Sequence, residues 1–179
     1  MNKFRKKFRK VLNYNPRKYK DDALEQFLNE LKQMNFTSDI VIELNRERLG
    51  WILSYRVDES SKRIAFFMME FTPTFNLVNM ANIIKVEYAQ NNEVIGEING
   101  FNTRFGSFGN VRQIPAISSV YLDFYTNDPQ DPIKKCGVTF REPKPIDKSY
   151  TKHYLEWFNK VYASLQLLIP KYGAKADLE

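Results

Sequence analysis

The amino-acid sequence predicts an α+β protein: a bent antiparallel sheet or small barrel, closed by a C-terminal helix and preceded by an N-terminal helical pair. Three observations support this fold class. Residues 40–140 contain short runs rich in isoleucine, valine and aromatic residues, which are typical of strands. Apolar residues with helical spacing occur before and after this region. Strands and helices do not alternate along the chain, which argues against a doubly wound parallel sheet.

The pattern of residues 1–36 predicts a basic helical arm that contains the helical pair. Apolar residues at i, i+4, i+7 and i+8 indicate its first helix: Phe4, Phe8, Val11 and Leu12. Pro16 disfavours a helical residue before it and therefore separates the two helices. The second helix is expected from about residue 22 to 34, with Asp21 or Asp22 as its cap. Its predicted buried face consists of Leu24, Phe27, Leu28, Leu31 and Met34.

Residues 37–172 are expected to form the antiparallel domain and its closing helix. Strands are predicted at residues 40–44, 51–57, 63–71, 75–78, 83–88, 94–98, 118–126 and 133–140. Pro143 and Pro145 predict a connector after the last strand. The final helix is expected from residue 149 or 151 to 169, because Pro170 and Gly173 are typical end signals. Its apolar stripe consists of Tyr154, Phe158, Val161, Leu165 and Leu168. Residues 173–179 are interpreted as a tail whose last two residues resemble an expression-vector scar.

Three stretches, at residues 57–66, 83–87 and 121–128, resemble uncharacterised bacterial proteins with a pleckstrin-homology-like domain. The resemblance covers roughly residues 40–170. It implies a bent antiparallel sheet closed at one end by a C-terminal amphipathic helix. It implies a scaffold and not a reaction, because many unrelated tasks share one fold. Eukaryotic relatives bind phosphoinositides through basic residues in the first hairpin loop. The corresponding loop here is mixed in charge, so this property is not transferred.

The excess positive charge of the chain lies in its first twenty residues. This segment holds nine of the 27 lysines and arginines and none of the 21 acidic residues, and the whole chain has a formal net charge of +6. A polybasic arm on a mildly acidic body predicts attraction to a polyanion. The candidate polyanion-binding residues are Lys3, Arg5, Lys6, Lys7, Arg9 and Lys10.

Three interpretations of this arm remain open. A cationic amphipathic helix can lie on an anionic membrane. It can also bind nucleic acid through phosphate contacts that are sensitive to salt and independent of sequence. Alternatively, its apolar stripe docks on the protein's own sheet or on a second subunit, and the charges are merely solvated.

A glycine-rich loop is the second candidate contact site. Four of the seven glycines lie between residues 96 and 109, which predicts a long loop or hairpin tip. Its predicted partner-contact residues are Phe101, Arg104, Phe105 and Phe108. The alternative is that these phenylalanines hold a long hairpin against the core.

Residues with catalytic chemistry are few. Cys136 is the only cysteine, so no intramolecular disulfide can form, and we expect it to be buried in a strand. His153 is the only histidine and is expected to be a surface or capping residue. Asp131 and Glu142 with Lys144 superficially resemble the element of a metal-dependent nuclease. That element needs a central strand, which Pro143 disfavours. No catalytic residue, metal site, cofactor or small-molecule ligand is therefore predicted.

The sequence thus predicts a bacterial, non-enzymatic binding or scaffold module that acts through a protein partner or self-association. The alternative is a peripheral protein of anionic membranes or nucleic acid, tethered by the basic arm. No apolar run reaches the length that crosses a bilayer, and no apolar stretch typical of a secretory signal follows the basic N-terminus. We therefore expect a cytoplasmic location, peripheral to the membrane under the alternative.

Overall fold

The structure is a computed structural model that describes residues 16–46, 51–69, 73–99, 116–146 and 148–175. Two α-helices flank the strands: α1 (Pro16–Gln33) and α2 (Ser149–Tyr172). The strands are β1 (Ile40–Arg46), β2 (Trp51–Asp58), β3 (Arg63–Met69), β4 (Pro73–Asn79), β5 (Ile83–Gln90), β6 (Glu93–Asn99), β7 (Ala116–Thr126) and β8 (Ile133–Pro145). A short 3-10 helix, Met80–Asn82, joins β4 to β5. The first helix of the predicted pair lies outside the described residues.

The strands form two antiparallel sheets. The first sheet has the order β1-β2-β3-β4, and the second sheet has the order β6-β5-β7-β8. The predicted α+β class with antiparallel strands and a C-terminal helix is confirmed. The predictions of a single bent sheet and of a small barrel are wrong, because no backbone ladder joins the two sheets among the described strands. The chain leaves the first sheet at the 3-10 helix and begins the second sheet at β5.

The main core lies between the two sheets and α2. Alternate residues of each strand point into it, such as Tyr55 and Val57 on β2 and Leu122 and Phe124 on β7. The ring centroid of Phe66 on β3 lies 5.2 Å from those of both Tyr55 and Phe124, so this side chain joins the two sheets. All five apolar residues predicted for the α2 stripe are buried: Tyr154, Phe158, Val161, Leu165 and Leu168. The long helix therefore shares the core of both sheets.

Helix α1 covers the outer face of the first sheet. Phe27 and Leu31 are buried against Ala65, Phe67 and Met69 on β3. The other residues of its predicted buried face pack around this cluster while remaining partly exposed: Leu24, Leu28 and Met34. The second predicted helix therefore exists. It begins earlier than expected, at Pro16, because proline fits the first position of a helix, where its missing N–H has no intrahelical acceptor.

Asp58, at the end of β2, is a fully buried carboxylate. It accepts hydrogen bonds from the Thr37 hydroxyl at 2.9 Å, the Ser60 hydroxyl at 2.7 Å and the Ser61 N–H at 2.9 Å. Arg63 donates to it at 2.8 Å and also donates to the carbonyl oxygens of Met34 and Asn35 just after α1. Asp58 and Arg63 together therefore fasten the end of α1 to the β2–β3 turn.

Side chains from distant elements bind the backbone at three of the four sheet edges. The Trp157 indole on α2 donates to the carbonyl of Ile42 on β1 at 3.0 Å. Lys134 on β8 donates to the carbonyl of Leu77 on β4 at 3.1 Å. In return, the Asn76 amide on β4 donates to the carbonyl of Lys135 on β8 at 3.5 Å. These contacts occupy backbone acceptors that an edge strand otherwise presents to another chain.

Two expectations about prolines are wrong. Pro143 and Pro145 do not form the expected connector, because β8 continues through Pro145. This is possible because β8 is an edge strand, where a missing N–H need not break the ladder. The helix α2 does not stop before Pro170 as expected, but continues to Tyr172. The Gly173 N–H still bonds the carbonyl of Ile169 at 2.7 Å, and the backbone becomes extended at Gly173, which ends the helix.

Candidate interaction site

The outer face of the second sheet carries a connected set of polar and aromatic side chains. Since Val86, Leu122 and Cys136 point into the core, the residues that alternate with them lie on the opposite face. We call this surface the outer polar face and define it by Lys85, Glu87, Glu97, Tyr121, Asp123, Tyr125 and Lys135. The polar and ring contacts of these side chains are with residues of the same sheet, whereas α1 covers the equivalent face of the first sheet.

The strand register aligns four charged residues in one row across the outer polar face. Glu97 on β6 is opposite Glu87 on β5, which is opposite Asp123 on β7, which is opposite Lys135 on β8. The row therefore contains three adjacent carboxylates and ends in a lysine. Like charges placed directly opposite each other on a sheet are destabilising unless other groups compensate them.

Tyr125 and Lys85 compensate Glu87. Lys85 Nζ lies 2.6 Å from Glu87 Oε1 and 4.2 Å from the centroid of the Tyr125 ring. The Tyr125 hydroxyl donates to Glu87 Oε2 at 2.7 Å. This hydrogen bond, with burial and the charges of nearby carboxylates, raises the pKa of Tyr125 to about 12. Burial by itself raises the pKa of Glu87, but the bonds from Lys85 and Tyr125 outweigh it and lower that pKa. Glu87 is therefore a stable anion held between two neighbours.

The other two carboxylates are less fully compensated. Lys135 Nζ lies 3.3 Å from Asp123 Oδ2, but Asp123 Oδ1 is buried and has no hydrogen-bond partner among the described residues. Glu97 accepts a bond from Asn99 Nδ2 at 3.2 Å. In the described ranges, no lysine or arginine forms an ion pair with Glu97. Unsatisfied negative charge thus remains on the β6 side of the row.

Two glycines shape this sheet. A Cβ on Gly137 would lie 2.2 Å from the Val120 carbonyl oxygen and 2.4 Å from the Tyr121 ring. The missing side chain lets Tyr121 lie across β8, where its hydroxyl bonds Thr139. On the inner side of β6, a Cβ on Gly96 would lie 2.5 Å from the Tyr162 hydroxyl of α2. Both faces of the sheet are therefore held by close aromatic packing.

The structure separates the residues that the sequence offered for catalysis. Cys136 is buried as predicted, and burial raises the pKa of its thiol to about 12. His153 is partly exposed on α2, and its Nδ1 lies 3.2 Å from Glu156. Asp131 pairs with Lys134 at 2.9 Å, while Lys144 lies opposite Ile117 in the β7–β8 ladder. These residues are therefore distributed over separate surfaces and the core.

The predicted contact residues lie outside the part of the chain that the structure describes. They are the arm residues Lys3, Arg5, Lys6, Lys7, Arg9 and Lys10, and the loop residues Phe101, Arg104, Phe105 and Phe108. Sequence reasoning missed the outer polar face. The signal available for it was the alternation of charged and tyrosine residues with apolar ones in β5 and β7.

Within the described residues, no group of three or more histidine, cysteine, aspartate or glutamate side chains could hold a metal ion. The described helices include none that is both long and apolar enough to span a membrane. Comparisons with protein-family models, with curated proteins and with solved structures found no match for this chain.

Proposed function

We propose that the protein is a non-enzymatic binding module that acts through protein–protein contacts. The observation that supports this proposal is the contrast between the two sheets. Helix α1 covers the first sheet, while the second carries charged and tyrosine side chains whose polar contacts stay within that sheet. These side chains stand on paired strands and bond one another, so the surface is ordered before a partner arrives. Preorganised contact residues reduce the entropy that binding must overcome.

Affinity capture with single-residue variants tests this function. The full chain and its Tyr121→Ser and Lys135→Glu variants are used to capture proteins from the cells that produce it, and the captured proteins are quantified. Lys152→Glu, at an exposed position of α2, is the matched control. We expect at least one protein to be retained by the full chain and the control but depleted several-fold by both face variants. Identical capture profiles for all four proteins would refute a role for the outer polar face.

We also propose that the fold is related to that of pleckstrin-homology-like domains. Two antiparallel sheets followed by a C-terminal helix support it. The order of the second sheet, β6-β5-β7-β8, departs from a simple succession of neighbouring strands. The glycine-rich loop likewise remains a proposed partner-contact site.

The charge of the N-terminal arm favours a second candidate function, peripheral association with an anionic membrane or with nucleic acid. Replacing the six arm residues from Lys3 to Lys10 that carry positive charge with glutamine leaves α1 intact. We expect this variant to lose sedimentation with vesicles containing phosphatidylserine, or to lose its mobility shift with duplex DNA. A chain with Lys152→Gln and Lys160→Gln is the control. If the arm variant binds both probes as the full chain does, tethering by the arm is wrong.

A further inference from the structure

At β6, the fourth sheet edge, no described side chain bonds the backbone of Glu97. The Thr126 N–H bonds the Pro132 carbonyl on the β8 side of the second sheet. In an antiparallel ladder, the backbone N–H and C=O of successive residues point alternately to the two neighbouring strands. The backbone groups of Tyr125 therefore point to β5, and those of Val86 point to β6, where Val86 pairs with Ile98. The N–H and C=O of Glu97, next to Ile98, consequently point away from β5. No described residue bonds the backbone of Glu97 from that side. The other three edges each carry the side-chain contact described above.

The charge row of the outer polar face leads to this edge. Counted from β8, it contains Lys135, Asp123, Glu87 and Glu97, and it stops where a further strand would begin. A residue on such a strand would stand opposite Glu97. A cation there would offset the repulsion between Glu87 and Glu97, which no described ion pair of Glu97 offsets. The buried Asp123 Oδ1, which has no hydrogen-bond partner among the described residues, adds negative potential to the same row.

We propose that the β6 edge accepts an extended segment of a partner protein that places a lysine or arginine opposite Glu97. Main-chain hydrogen bonds to β6 would supply affinity, and the basic residue would supply specificity. This proposal rests on the binding function above and names the chemistry of the partner. A second copy of β6 is a poor occupant, because this strand carries Glu93 and Glu97 and no basic residue.

Fluorescence anisotropy with short synthetic peptides tests the proposal on the full chain. The probe is a peptide in which lysine and valine alternate. The comparison peptides have glutamate in place of lysine, or N-methyl groups on alternate amides that block strand pairing. We expect the lysine peptide to bind, and the other two to bind at least about tenfold more weakly. Equal binding of the N-methylated peptide would overturn strand addition.

Variants of Glu97 separate charge from backbone pairing. Glu97→Gln should lower the affinity for the lysine peptide roughly threefold. Glu97→Lys should lower that affinity by about tenfold or more and raise the affinity for the glutamate peptide. Glu97→Pro removes the N–H that points away from β5 and leaves the ladder with β5 intact, so this variant should bind the lysine peptide more weakly than Glu97→Gln does. Glu142→Gln, exposed on β8, is the control. Unchanged affinity in Glu97→Lys, or self-association that Glu97→Pro abolishes, would overturn the proposal.

The capture experiment distinguishes failure of this inference from failure of the proposed function. A partner that is lost with Tyr121→Ser but retained by Glu97→Lys would leave the binding function intact and reject the β6 edge as its site. Peptide binding that fails in the full chain and in every variant would likewise reject the β6 edge. If capture shows no partner dependent on the outer polar face, the proposed function fails independently of the peptides.

Discussion

Replacing Asp58 with alanine is expected to lower the free energy of unfolding by about 3–5 kcal/mol, the range for breaking a buried ion pair by removing one partner. The variant leaves the Arg63 guanidinium without its carboxylate and the Ser61 N–H without its acceptor. The end of α1 should loosen as well, because Arg63 also binds the carbonyl oxygens of Met34 and Asn35. Urea unfolding at neutral pH measures the effect. Asp22→Ala, at an exposed position of α1, is the control and should change stability by less than about 0.5 kcal/mol.

The same carboxylate makes stability depend on pH. Burial by itself raises the pKa of Asp58, but hydrogen bonds from Ser60, Ser61 and Arg63 outweigh it and hold this pKa well below its ordinary value of 3.8. The folded state therefore favours the ionised form. The stabilisation is complete above the pKa of the unfolded chain and declines as the pH falls below about 4. The stability difference between the full chain and Asp58→Ala should consequently shrink between pH 5 and pH 2. A constant difference over that range would contradict this account.

Truncation of Phe66 to alanine is expected to cost about 3–5 kcal/mol of unfolding free energy. Phe66 is fully buried, and its ring contacts Tyr55 in the first sheet and Phe124 in the second. The cavity would therefore open at the contact between sheets, where neither sheet can close it alone. Chemical denaturation measures the loss.

Phe75→Ala is the matched control, because this β4 phenylalanine is 37% exposed and its ring meets that of Phe27 edge-on in the α1 cluster. It should cost clearly less than Phe66→Ala. Equal losses for the two variants would mean that the contact between the sheets contributes no more than the α1 cluster.

The local elements were predictable because each depends on nearby residues. The alternation of Val120, Leu122 and Phe124 in β7 and the stripe of α2 identify buried positions without knowledge of any partner. Part of the Asp58 cluster could also be predicted from the sequence, since aspartate followed by Ser60 and Ser61 is typical of a turn whose side chains bond its own backbone. The hydrogen bond from Arg63 to the carbonyl oxygen of Met34 could not be predicted from the sequence, because it joins residues 29 positions apart.

The sheet partition and the candidate site depend on long-range pairing. Strand periodicity cannot decide whether β4 pairs with β5 in one bent sheet or whether the chain turns away at Met80–Asn82. The row from Glu97 to Lys135 exists only through the registers of three strand pairs. The β6 edge is harder still to predict, since it is defined by the absence of a neighbouring strand among the described residues. The most conspicuous sequence features, the basic arm and the glycine-rich loop, give no information about that edge.

The edge contacts also have a consequence for the growing chain on the ribosome. The Ile42 carbonyl on β1 is bonded only after Trp157 has been synthesised, 115 residues later. The Leu77 carbonyl on β4 is bonded only after Lys134 has been synthesised, 57 residues later. At ordinary rates of translation, the longer delay is on the order of 10 seconds. During this interval the first sheet is already encoded but its outer strands can pair with other nascent chains. Synthesis of α2 therefore ends the period in which the β1 edge is exposed to misassembly.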